Sequence, residues 1–269
     1  MKTENEIRLF IFSKIREYLD NNKHEGELIW TRLMECRKHT KSNNIYGRKS
    51  YIQEAISLSI SSQSTLYPDW QGQTSEINIK LCNFAFDLFN SISHRNLCVC
   101  SHVSVCEVPE KPEKASENSR TMCFEDRIQF KYDSDSNHQE YRELKNVAAW
   151  LHELGHWIEF HNPYVRAMCN AFLEYRTRDS KLERMKPPNE RYYCKNGNFP
   201  WEYCGLIDGD WTDDRHTEIL STGLEMLFED SIKFFANDHE YFTLIVNILK
   251  GNIIESNELK IDNSLDTGF

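Results

Sequence analysis

Two histidines four residues apart, with a glutamate directly after the first, stand in the run Trp150-Leu151-His152-Glu153-Leu154-Gly155-His156-Trp157-Ile158-Glu159. On a helix that turns about 100° per residue, His152 and His156 fall about 40° apart, one turn above the other. Both imidazoles can then reach a single zinc ion at about 2.0–2.1 Å. Glu153 lies about 100° round from His152, near enough to address a water on that ion without binding the ion itself. Metal-assisted hydrolysis needs this arrangement: the ion lowers the pKa of its water, and the glutamate takes the proton as the water attacks a carbonyl.

A catalytic zinc site takes three protein ligands and keeps one position open. In the stretch from Thr217 to Leu227, Glu218, Thr222 and Glu225 fall within about 60° of one another on a helix, while Leu220, Leu224 and Leu227 take the other side. A polar stripe on an apolar helix makes Glu218 the favoured third ligand, with Glu225 or Thr222 orienting a ligand from behind. Two alternatives stay open, Glu225 itself and Glu159, which shares the ligand face of the first helix but lies one turn beyond His156. A third histidine ten residues after His152 is absent, since that position holds Asn162, which excludes the metzincin pattern. His161 would turn about 140° from the ligand face and reads as a helix-end packing residue. Glu153 and His156 also form one Glu-x-x-His pair, but no second one exists to build a di-iron carboxylate site.

Hydrolysis also needs a donor facing the water across the metal, and Tyr203, Arg215 and His216 precede the Glu218 segment closely enough to supply it. Of these, Tyr203 and His216 join Glu153 as the expected catalytic residues.

These residues have to be held by a scaffold. Apolar periodicity predicts helices over 5–19, 76–93, 139–161, 163–178, 214–235 and 238–250, with Asn162-Pro163 ending the histidine helix and Gly251 ending the last. Alternation predicts a strand in Leu97–Val108 and another over 126–132, the latter half-buried at a sheet edge. The segments 61–74 and 187–214 read as loops, the second an ordered one over the site, and 109–120 as an internal boundary. The fold class is therefore α+β, mainly helical with a small mixed sheet. Its expected divisions are a helical N-terminal region over 1–115, a core over 116–251 and a tail over 252–269.

The formal net charge of -10 gives nucleic acid no general attraction to this surface. The densest basic stretch, Arg176 to Arg191, is interrupted by Asp179, Glu183 and Glu190. The start of the chain lacks a signal-peptide core, and no 18-residue apolar run follows, so no membrane partner and a cytoplasmic location are expected. Nine cysteines without disulfide spacing read as reduced thiols. Cys98, Cys100, His102 and Cys106 would share one strand face at about 7 Å per pair of residues, too spread to chelate one ion. The three cysteines read as buried small apolar thiols.

The combination HELGHWIEFHNP with TEILSTGLEMLFED resembles the gluzincin branch of zincin metallopeptidases, in which a glutamate on a downstream helix completes the site. More narrowly it resembles metallopeptidase-like domains carried by phages and other mobile elements in bacteria. The likeness spans residues 120–251. It implies a zincin-like fold around the His-Glu-x-x-His helix, a zinc cofactor, a protein or peptide substrate, Glu218 as metal ligand, and the strand over 126–132 lying antiparallel to the bound substrate. In gluzincins an acidic residue follows the ligand glutamate by four; here that position is Thr222, so the groups behind the ligands must differ. Residues 1–115 carry no resemblance. The competing expectation is a non-catalytic assembly or interaction module that keeps the zinc site as scaffolding. Glu153 speaks against it, because a purely structural site has no use for a base.

Overall fold

The protein is described by a computed structural model over residues 4–72, 74–107, 122–123, 126–130, 138–185, 193–207 and 217–254. In chain order the elements are α1 (Glu4–His39), α2 (Ile45–Ser57), β1 (Tyr67–Gln71), α3 (Glu76–Ile92), β2 (His102–Glu107), β3 (Met122–Cys123), β4 (Ile128–Phe130), α4 (Gln139–His161), α5 (Pro163–Thr177), β5 (Leu182–Arg184), β6 (Tyr193–Lys195), β7 (Leu206–Ile207), α6 (Ile219–Asn237) and α7 (His239–Leu249). The class is α+β, mostly helical with little sheet. β1, β2, β4 and β3 form a mixed sheet in that order, parallel between β1, β2 and β4 and antiparallel between β4 and β3. β5, β6 and β7 form a second, antiparallel sheet.

α4 takes its position from its apolar back. Val147, Ala148, Trp150, Leu151, Leu154, Trp157 and Ile158 recur at three- and four-residue spacing and are all buried. Trp150 fixes the helix to the sheet: its ring stacks on Phe130 of β4 at 4.3 Å and meets Trp70 of β1 and Phe86 of α3 edge-on. At its end, Asn162 accepts bonds from the Tyr164 and Val165 amides, which caps α5 just where Pro163 occupies the first turn. α1 lies along α5 and α7, and the Tyr18 hydroxyl donates to the Asn252 carbonyl at 2.6 Å. Buried residues from Ile7 to Leu249 join one core.

The structure departs from the sequence reading at several elements. The first helix runs on to His39, because Asp20 and Asn21 stand on its exposed face and the Asn22 side chain donates back to the Tyr18 carbonyl, so that none of them ends it, and α2 follows unforeseen. The segment 61–74 contains a strand, not only a loop: β1 sits at the sheet edge, where Pro68 costs little. The cysteine strand is confined to His102–Glu107, since Arg95–Leu97 forms a 3-10 turn and Cys98 and Cys100 precede the strand. Cys98, Cys100 and Cys106 are half-buried, not buried. β4 is not an edge strand, because β3 pairs along its outer side. Tyr132 lies outside the described residues. Within 187–214 the described residues include β6, β7 and a 3-10 turn at Glu202–Gly205. Among the described residues no helix is long and apolar enough to cross a membrane.

Candidate metal centre

α4 and the start of α6 meet at Gly155. A methyl group there would stand 2.5 Å from the Ser221 Cα and 2.6 Å from its nitrogen, so only glycine lets the two backbones come this close. Gly223, the glycine of α6, takes no part in this contact and faces Ile245 and Tyr241 instead. The Gly155 contact puts His156, the next residue on α4, opposite Glu218, the residue before α6 begins.

Three donor atoms converge there. The Nε2 atoms of His152 and His156 are 3.1 Å apart, and a carboxylate oxygen of Glu218 is 3.3 Å from each. Ligands held tetrahedrally at about 2.0–2.1 Å from a zinc ion stand about 3.3–3.4 Å from one another. The spacing thus fits a small tetrahedral ion, and two imidazoles with one carboxylate is a donor set zinc accepts. Among the described residues this is the group of His, Cys, Asp or Glu side chains gathered closely enough to hold a metal, and all of it is on the ligand face expected from the spacing.

The groups behind the ligands are specific. Glu225, about two turns further along α6, lies with a carboxylate oxygen 3.1 Å from Nδ1 of His152. Because a carboxylate at neutral pH only accepts, Nδ1 keeps its proton, and when the ring gives up its second proton to bind a metal the Nε2 lone pair faces the centre. Thr222, the other candidate for this work, is buried with an unbonded hydroxyl and does not orient a ligand. Ser221, which the sequence reading passed over, donates to the Glu218 carboxylate at 3.0 Å. Its only signal was a hydroxyl three residues after the candidate ligand. Glu159 does not reach the centre; it is fully buried and bonded to the Thr217 and Leu220 amides at the start of α6. His161 stacks on Trp157 at 4.1 Å, as a helix-end packing residue would.

Burial opposes charge on every member, yet the cluster is arranged to carry it. Desolvation would raise the Glu218 carboxyl, but the two imidazoles outweigh it and hold the group well below the usual carboxylate range. Desolvation likewise would lower His152, and hydrogen bonds to Glu218 and Glu225 reverse the direction, raising it well above its ordinary value. Glu153 stands beside the three donors. Burial pushes its carboxyl up against the pull of both histidines, and the Cys123 amide of β3 donates to it. A carboxylate raised toward neutrality suits a general base. Glu159 is raised to about 7, burial winning over its bonds to Thr217 and Leu220.

Tyr203 flanks the centre, its ring 6.3 Å from that of His152 and stacked at 5.2 Å on the exposed Trp201. Its loop is tied down by Arg176, which donates to the carbonyls of Gly197 and Asn198 and grips Asp238 with two bonds of 3.0 Å. Arg215 and His216 lie outside the described residues.

No protein-family model, curated protein or solved structure matches this chain. The class that fold and centre define is therefore an α+β, mainly helical protein with a two-histidine, one-carboxylate cluster able to hold a metal ion.

Proposed function

We propose that this chain is a zinc-dependent metallopeptidase with a zincin-like fold of the gluzincin type. The observation that carries the reading is the convergence of His152, His156 and Glu218 within 3.1–3.3 Å, with the carboxyl of Glu153 beside them and outside the donor set. His152, His156 and Glu218 would hold zinc, which when bound polarises a carbonyl and acidifies a water. Glu153 then takes the proton from the attacking water and passes it to the leaving amine. Tyr203 supports the reading as the donor to the oxygen on which charge develops, being the candidate near His152. The substrate is a protein or peptide, and a role in phages or other mobile elements follows from the resemblance of the two motifs alone.

The test is hydrolysis of a fluorescence-quenched peptide library by the full chain loaded with zinc, run against Glu153→Gln. The wild type should cleave and Glu153→Gln should not, while both hold one zinc per chain. Equal cleavage by both would remove Glu153 from the mechanism. Zinc in both with cleavage by neither would favour the non-catalytic assembly or interaction module.

A further inference from the structure

The turn that carries Glu218 is capped in an unusual way. Glu218 occupies the cap position of α6, where a side chain normally turns back to accept the free amides of the first helical turn. Here its side chain makes no capping bond and points to the two histidines. The amides are served from elsewhere. Glu159, one turn after His156 on α4, accepts from the Thr217 amide at 2.7 Å, from the Leu220 amide at 3.2 Å and from the Thr217 hydroxyl at 3.1 Å. The Thr217 hydroxyl in turn accepts from the Ile219 amide at 3.0 Å. A fully buried carboxylate is costly to place, and these bonds offset part of that cost.

We propose that Glu159 is a positioning residue which sets the metal affinity of the centre by capping α6 in place of Glu218, so that Glu218 is free to bind the ion. The inference rests on reading His152, His156 and Glu218 as a ligand set. The geometry is closed on both sides: Gly155 against Ser221 and Glu159 against Thr217 bracket His156 on one helix and Glu218 on the other. If the cap is removed, Glu218 is drawn toward the free amides of its own helix and away from the imidazoles. Loss of such a supporting partner costs about 10–100-fold in metal affinity.

The experiment is a zinc titration of the full chain against a competing chelator for wild type, Glu159→Gln, Glu218→Gln and the double variant. Glu159→Gln keeps the shape but sets an amide donor against backbone donors, and zinc should bind about 10–100-fold more weakly. A residue acting only on stability would leave the effect of Glu218→Gln unchanged, whereas one acting through Glu218 makes that effect several-fold smaller in the Glu159→Gln background. Thr217→Ala removes one arm of the cap and should lose affinity several-fold, with Thr217→Ser restoring it; this pair decides the matter if Glu159→Gln does not fold. Wild-type affinity in both Glu159→Gln and Thr217→Ala, or strictly additive losses, overturns the proposal alone. Failure of the wild type to bind zinc overturns the ligand reading and the proposal with it.

Discussion

Glu225 holds the Nδ1 side of His152 at 3.1 Å, and in doing so decides which nitrogen of that ring faces the centre. Without the carboxylate the ring is free to carry its proton on either nitrogen and to rotate. Glu225→Ala should weaken zinc binding by about 10–100-fold while the helices stay folded. Zinc affinity by chelator competition, with circular dichroism as the fold control, checks it; an unchanged affinity would detach Glu225 from the centre.

Gly155→Ala is expected to be more damaging than its size implies. The added methyl meets the backbone of Ser221 and not a flexible side-chain end, so α4 and α6 must move apart. Overpacking of this kind costs roughly 1–3 kcal/mol. Thermal unfolding should show the loss, and zinc content should fall with it because Glu218 withdraws with α6.

The metal-free protein should be most stable in mildly acid solution. His152 is raised above its ordinary 6.5, so its contribution is full below that pH and is lost as the pH climbs through the raised value. Glu218 is lowered below 4.5, so its contribution is present above 4.5 and is lost as the pH falls through the lowered value. Both act together between about 4.5 and 6.5. Unfolding midpoints against pH, with a chelator, should peak there and decline toward pH 8, and saturating zinc should abolish that alkaline decline. A chelated protein whose midpoint stays level from pH 6 to pH 8 would contradict the coupling.

Tyr203→Phe removes a hydroxyl and keeps the ring that stacks on Trp201. On the proposed function it should lower kcat by about 10²-fold with zinc content and KM little changed. A loss confined to KM would instead make Tyr203 a substrate-binding residue.

The centre was more legible than its frame. His152, Glu153 and His156 announce themselves because a helix places residues four apart on one face, and the polar stripe on α6 singled out Glu218 by the same period. Which groups stand behind the ligands was less legible, since it depends on the crossing of two helices. Glu225 and Thr222 share one stripe, and only the packing shows that Glu225 reaches His152. Ser221 and Glu159 act through bonds across or within a turn that no periodicity records. β1 was hidden by Pro68, with only Trp70 as a strongly apolar residue on its half-buried face, and β3 by its length of two residues.

α1 and the last helices are partners in space but far apart in the order of synthesis. Tyr18 and Asn252, which bond to each other, are 234 residues apart. At a ribosomal rate of about 5–20 residues per second, roughly 10–50 s pass between them. Until Thr177 is made the apolar face of α1, with Ile7, Ile11, Ile15 and Leu19, has neither α5 nor α7 to cover it, and α7 is complete only at Leu249. Apolar surface left uncovered for so long is what exposes a nascent chain to aggregation, whereas the donors of the metal centre, His152, His156 and Glu218, are all made before α7 begins at His239.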